Sequence, residues 1–159
     1  MKSTYLIVID MQNDFIDGSL GTPEAAAIVD RVADKIKTHT GKILYTLDTH
    51  GNDYLETIEG IKLPVVHCLQ GTEGWQLNVK IEAELKKKNA VPFKKETFGS
   101  AELASYLADE NIKQRIDRIE LVGLCTDICV ISNAMLIKAF LPNTKIVIDR
   151  KSTRLNSSH

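Results

Sequence analysis

Three side chains with the chemistry of a catalytic centre each stand at the end of an apolar run. Cys129 lies in Val122-Gly123-Leu124-Cys125-Thr126-Asp127-Ile128-Cys129-Val130. The run Ile119 to Val122 reads as a buried strand that Gly123 ends, and Thr126 or Asp127 can cap a helix continuing through Ile131, Ala134, Met135 and Lys138. Cys129 then falls in the first helical turn, where backbone N–H groups and the helix dipole favour a thiolate and draw the pKa below the free value of about 8.5. The residue is either a nucleophile or a small buried apolar side chain, as most free cysteines are. Asp10 closes Tyr5-Leu6-Ile7-Val8-Ile9, and a carboxylate at the end of a buried strand is costly without a partner. It is either a solvated loop residue or part of a site, since open α/β sheets bind ligands at the carboxyl ends of their strands. Lys95 follows Val91-Pro92-Phe93-Lys94 and reads as a surface charge or as a cation at a third strand end.

A second set of residues could hold a metal ion. The run Lys42 to Leu47 ends in Asp48-Thr49-His50, and His67 follows in Pro64-Val65-Val66-His67-Cys68. Asp48 and His50 are two apart, so on an extended chain both side chains point the same way. A carboxylate and two imidazoles suit Zn²⁺ or a similar ion with water in the open positions, and Glu59 could add a fourth ligand. The other reading is of unrelated polar loop residues, because no HxxxH or CxxC pattern is present. Trp75 either lines a pocket for a flat substrate or sits in the core beside a helix start.

The elements that must position these residues follow from periodicity. Tyr5–Ile9 reads as a central strand buried on both faces, Lys42–Leu47 as a second, and Val91–Lys94 as a short third that Pro92 places near an edge. The fourth is the Cys129 stretch, and the fifth is Lys145–Asp149. Between them, Thr22 caps a helix with Ile28, Val29, Val32, Ala33 and Ile36 on one stripe, which Gly41 ends. Gln76–Lys88 forms a helix with a lysine-rich end, and Ser100 caps another with Leu103, Ala104 and Leu107 inward. The segment from Gly51 to Gly74 reads as a long irregular loop, which in a compact domain is usually functional. Strands alternating with helices predict an α/β fold: a single doubly wound parallel sheet with helices on both faces.

Composition is consistent with that. The chain has 159 residues, 43% hydrophobic and 26% charged, with a formal net charge of −1. This suits one globular domain and gives no basic excess for nucleic acid or a membrane surface. No apolar run approaches a membrane span and no signal-peptide pattern opens the chain, which predicts a cytoplasmic protein. Three cysteines, Cys68, Cys125 and Cys129, suggest chemistry or packing rather than a disulfide framework. The CxxxC spacing of Cys125 and Cys129 is not the CxxC of redox pairs.

Five segments together resemble the isochorismatase-like cysteine hydrolases, and within them the nicotinamidases. They are Val8-Ile9-Asp10-Met11-Gln12-Asn13-Asp14-Phe15, Asp48-Thr49-His50, Pro64-Val65-Val66-His67-Cys68, Lys95-Glu96-Thr97-Phe98, and Gly123 through Val130. The resemblance implies that Cys129 is the nucleophile, Asp10 the general base and then acid, and Lys95 the cation that holds both. It implies a non-proline cis peptide at Leu124-Cys125, with the N–H groups of Cys125 and Cys129 forming an oxyanion hole. It further implies one divalent ion, Zn, Mn or Fe, held by Asp48, His50, His67 and either Glu59 or Glu56. Phe15, Trp75 and Leu124 are candidate walls of the substrate pocket.

The activity so implied is deamidation of nicotinamide to nicotinate and ammonia through a Cys129 thioester. The alternatives are another small-amide or carbamoyl hydrolase and a non-catalytic metal- or ligand-binding relative. The expected partner is a small-molecule amide, with a homo-oligomer as an option. The segment 149–159 has no periodicity and no apolar face, and it resembles a translated sequencing adapter. The hydrolase domain is therefore expected over 1–148, truncated at its C-terminus, with a fifth strand left as an open edge.

Overall fold

The structure is a computed structural model and describes residues 2–155. Five parallel strands form one sheet in the order β3-β2-β1-β4-β5. They are β1 (Thr4–Ile9), β2 (Lys42–Asp48), β3 (Val91–Lys95), β4 (Arg118–Leu124) and β5 (Lys145–Arg154). The doubly wound parallel sheet expected from the sequence is present. From β1 the chain first steps outward to β2 and β3, then returns to place β4 and β5 on the other side. The order reverses between β1 and β4, the place where such sheets open a crevice at their carboxyl ends.

Alternation along β1 builds two cores. Leu6 and Val8 face Ile28, Val32 and Ile36 of α3 (Val29–Thr38) and its entry, together with Ile81 and Leu85 of α5 (Val79–Lys87). Tyr5, Ile7 and Ile9 face Leu103 and Leu107 of α6 (Ala101–Lys113) and Ala134 and Ile137 of α7 (Ile131–Phe140). Leu6, Ile7, Val8 and Ile9 are all fully buried, as a central strand covered on both faces should be. The remaining helices are short: α1 (Asn13–Ile16), α2 (Pro23–Ala27) and α4 (Ile58–Lys62). Thr22 and Ser100 cap their helices, each accepting a backbone N–H three residues on.

Several boundaries differ from the sequence expectation. The helix after Gln76 starts only at Val79, because Asn78 accepts the N–H groups of Lys80 and Ile81 and serves as its cap. Gly41 lies beyond a helix that already ends at Thr38; a Cβ there would stand 2.1 Å from the carbonyl oxygen of Thr4. Gly123 does not end its strand. It sits inside β4 at φ +117°, where a Cβ would meet the Ile9 carbonyl oxygen at 2.2 Å, so glycine lets β1 and β4 close on each other. The 51–74 segment is not structureless, since it carries a 3₁₀ turn at Tyr54–Glu56 and then α4.

The fifth strand also runs past residue 148. Its pairing with β4 is regular to Leu121↔Ile148, breaks at a bulge, and resumes at Gly123↔Thr153 and Leu124↔Arg154, with Ser152 and Thr153 buried. Six residues of the segment set apart by its composition thus lie in the sheet, while 156–159 fall outside the described residues. β5 is an edge strand as expected, and Met135 beside Ile146 and Ile148 is 68% exposed. Among the described residues no helix is long and apolar enough to cross a membrane.

Candidate active site

The carboxyl ends of β1, β2 and β3 and the turn after β4 meet in one buried cluster. Lys95 is its centre. Its Nζ lies 2.8 Å from Asp10 Oδ2, 3.4 Å from Asp48 Oδ1 and 3.4 Å from Cys129 Sγ, and donates to the Thr97 carbonyl at 3.2 Å. Asp10 is fully buried, and Lys95 and Cys129 are 4% and 5% exposed, so water does not screen these contacts. The structure therefore joins the three strand-end residues that spacing alone could not connect.

The titration of the cluster follows from its burial. Desolvation raises the Asp10 carboxyl above the usual carboxylate range, against the pull of Lys95. Burial works against the Lys95 ammonium, but the facing Asp10, Cys129 and Asp48 win and hold it more strongly protonated than a free lysine. Cys129 corrects the expectation of a lowered pKa. Burial pushes its thiol well above the ordinary value, the Asp10 charge adds to this, and Lys95 opposes it only in part. Asp10 and Cys129 both meet Lys95 Nζ, and burial pushes both toward their protonated forms.

The turn that carries the thiol also differs from a capped α-helix. Thr126–Val130 is a π-type turn whose cap position is Cys125, with no side-chain cap bond. The Cys125 carbonyl accepts the N–H groups of both Ile128 and Val130. The Leu124-Cys125 peptide is cis. Burial pushes the Cys125 thiol up to about 12, so it too is a neutral thiol. All three cysteines are free.

A second cluster shares Asp48. One donor atom from each of Asp48, His50, Glu59 and His67 lies within 4.8 Å of the others. Asp48 Oδ2 is 3.0 Å from His50 Nε2 and 3.4 Å from His67 Nε2, and Glu59 Oε2 is 3.5 Å and 3.7 Å from the same nitrogens. His67 Nδ1 is paired with the Val65 carbonyl at 2.7 Å, which leaves its Nε2 aimed into the quartet. Burial raises the Glu59 carboxyl, and the nearby Asp48 raises it further. For Asp48 burial also acts upward, but bonds from His50 and His67 and the Lys95 charge hold its carboxyl well below the usual range. Two carboxylates pressed against two imidazoles in a largely buried pocket could hold a divalent metal ion. The quartet contains Glu59; Glu56 lies in the 3₁₀ turn outside it.

The candidate pocket walls separate. Phe15 is buried with its ring 5.5 Å from that of His67. Leu124 is 1% exposed and packs in the core with Met11 and Val122, where β4 continues through it. Trp75 donates its indole N–H to Thr49 Oγ1 at 2.9 Å, under Lys94, and lines a separate groove of about 430 Å³ with Tyr45 and Leu85. A cavity of about 370 Å³ opens beside the quartet, lined by His50, Tyr54, Glu59, Glu96 and Thr97.

Four polar residues that spacing does not single out hold the clusters in place. Thr46 is fully buried; its hydroxyl donates to Asp10 Oδ1 at 2.6 Å and accepts the Asp10 N–H at 3.2 Å. Gln12, also fully buried, accepts the Asp48 N–H at 2.9 Å and donates to the carbonyls of Asp48 at 2.8 Å and Trp75 at 2.9 Å. Asn133 donates to the carbonyls of Cys129 and Phe98 and accepts the Ser100 N–H, joining the Cys129 turn to the loop after Lys95. Asp14 accepts the N–H of Cys68, next to His67.

Known proteins resemble this chain in sequence and fold. The curated nicotinamidase/pyrazinamidase of Mycobacterium tuberculosis is 28% identical over 141 residues, 79% of this chain and 73% of that protein. The crystal structure of a Bacillus subtilis nicotinamidase matches with a TM-score of 0.74 at 28% identity, covering 99% of this chain and 89% of that one. The pyrazinamidase of Pyrococcus horikoshii in complex with zinc matches with a TM-score of 0.77 at 25% identity, covering 98% and 88%. The Isochorismatase domain profile matches residues 4–153, and this chain belongs to that family.

Proposed function

We propose that the chain is an amidohydrolase that converts nicotinamide to nicotinate and ammonia. The observation that carries this reading is the buried contact of Lys95 with both Asp10 and Cys129, at the point where the sheet order reverses. The relatives named nicotinamidase and pyrazinamidase support the substrate class.

The chemistry uses the protonation states set by burial. Cys129 starts as a thiol, so its activation is a proton transfer made as the substrate arrives. Asp10, with its raised carboxyl, is a base matched to that task. The S–H bond breaks, the proton passes to Asp10, and the sulfur electron pair attacks the amide carbon. Lys95 stays cationic and offsets the negative charge throughout. The carbonyl oxygen becomes an oxyanion facing the N–H groups of Cys125 and Cys129. Asp10 returns the proton to the leaving nitrogen, ammonia departs, and water cleaves the thioester. Asp48, His50, Glu59 and His67 would hold a divalent ion, zinc by analogy with the Pyrococcus relative, with Mn or Fe as alternatives. Such an ion would supply a Lewis-acid site beside the substrate, with Asp48, His50, Glu59 and His67 holding it. The product would enter NAD salvage in the cytoplasm, in keeping with three free cysteines.

Quenched-flow mass spectrometry tests the covalent step. A nicotinoyl group on the peptide bearing Cys129 during turnover is the expected result. Turnover with no acyl group on any cysteine, and full activity in Cys129→Ala, would overturn it.

A further inference from the structure

Where β1 leaves the sheet, Asp10 takes a left-handed backbone conformation, φ 48°, and the β1–β2 ladder stops at Ile9↔Thr46. The Asp10 N–H therefore has no next partner in the ladder, and the Thr46 hydroxyl takes that place. The same hydroxyl gives its proton to Asp10 Oδ1 at 2.6 Å. Its direction is fixed from both sides, and with Thr46 fully buried no water can substitute for it. Lys95 meets the other carboxylate oxygen, Oδ2.

We infer that Thr46 is a positioning residue for the proton shuttle, orienting Asp10 so that Oδ2 alone exchanges the proton with Cys129 and the leaving nitrogen. The inference rests on the cysteine amidase reading above. In the forward step the Cys129 S–H bond breaks, an Oδ2–H bond forms and the electron pair remains on sulfur. In the return step Oδ2–H breaks and the proton leaves with ammonia. Oδ1 keeps the Thr46 hydrogen bond in both states, so the carboxyl need not rotate between taking the proton and giving it back. Thr46 touches neither substrate nor thiol; it acts only through Asp10.

Thr46→Val tests this, because valine keeps the β-branched shape and removes only the hydroxyl. The zinc-loaded enzyme is assayed with nicotinamide. A hydrogen bond to a charged group lost from the base should lower kcat by about 10- to 100-fold. KM and zinc content should stay within about twofold, since binding groups are untouched. Carbamidomethylation of Cys129, followed on its own peptide, needs the same loss of the thiol proton but displaces iodide instead of cleaving an amide, and should slow in parallel. Thr46→Ser, which restores the hydroxyl, should recover most of both rates. If Thr46→Val does not fold by circular dichroism, Thr46→Ala is read in its place with the same expectation. Unchanged kcat and alkylation in the valine or alanine variant, or a serine variant as impaired as they are, would overturn the inference. Cys129→Ala separates the two levels: if it is inactive while Thr46→Val is fully active, only the Thr46 inference falls. If Cys129→Ala itself turns over, the amidase reading falls.

Discussion

Replacing Lys95 by methionine should both silence the enzyme and widen the pH range over which Asp10 weakens the fold. Lys95 Nζ is 2.8 Å from Asp10 and 3.4 Å from Asp48, and both carboxylates are 3% exposed or less. Removing one partner of a buried ion pair costs about 3–5 kcal/mol, because the remaining charge stays buried. Against a total stability of about 5–15 kcal/mol this is a large share. With an m-value of about 2 kcal/mol/M in urea, the midpoint should fall by about 2 M. Asp10 already sits above the ordinary carboxylate range through burial, and Lys95 is what opposes the rise. Without Lys95 its folded-state pKa climbs further, so between the unfolded and folded values the native state binds more protons than the unfolded one. Stability of the variant should then fall as pH rises through that window and level off above it. Urea unfolding of parent and Lys95→Met at pH 5 and pH 8 reads this directly. A deficit that is absent at pH 8, or larger at pH 5 than at pH 8, would refute the reasoning.

Other outcomes follow from the same contacts. Gln12→Leu strips partners from the Asp48 N–H and from the Asp48 and Trp75 carbonyls. At about 1–3 kcal/mol for each buried group left unpaired, the melt should move down by several kcal/mol. Its zinc affinity, read by chelator competition, should drop about 10-fold or more because the backbone that aims Asp48 is loosened; unchanged affinity would count against that role. Gly123→Ala puts a Cβ 2.2 Å from the Ile9 carbonyl oxygen at φ +117°, and should cost about 3 kcal/mol in denaturant unfolding as β1 and β4 separate. His67→Ala should abolish stoichiometric zinc binding in metal analysis while the far-ultraviolet circular dichroism is kept, since the side chain reaches only the quartet, Val65 and neighbouring rings.

The sheet was readable because most of its strands are rich in apolar residues, and Asp10 and Asp48 were readable because each ends such a run with a charge, whereas Lys95 follows another lysine at the end of a short strand. Local order along the chain could not show that these ends converge; that comes from the reversal between β1 and β4. Thr46 was hidden because threonine is an ordinary strand residue, and Gln12 because its partners lie 36 and 63 residues away. The Cys129 pKa was misread for a physical reason. The helix-dipole argument counts the local turn, whereas desolvation by the surrounding core is larger and acts in the opposite direction. The extent of β4 was misread because Gly123 reads as a strand end, although here it permits close approach of two strands and the strand continues through Leu124. The bulge in β5 lies where apolar patterning stops, so the strand beyond Ile148 had no periodic signal.

The most direct test of the central claim is ammonia release from nicotinamide by the zinc-loaded chain, measured beside Cys129→Ala. The account predicts sustained release by the parent, loss on chelation, and release at the uncatalysed level in the variant with its zinc retained. Release by Cys129→Ala at the parent rate, or none from a folded and zinc-loaded parent, would contradict it.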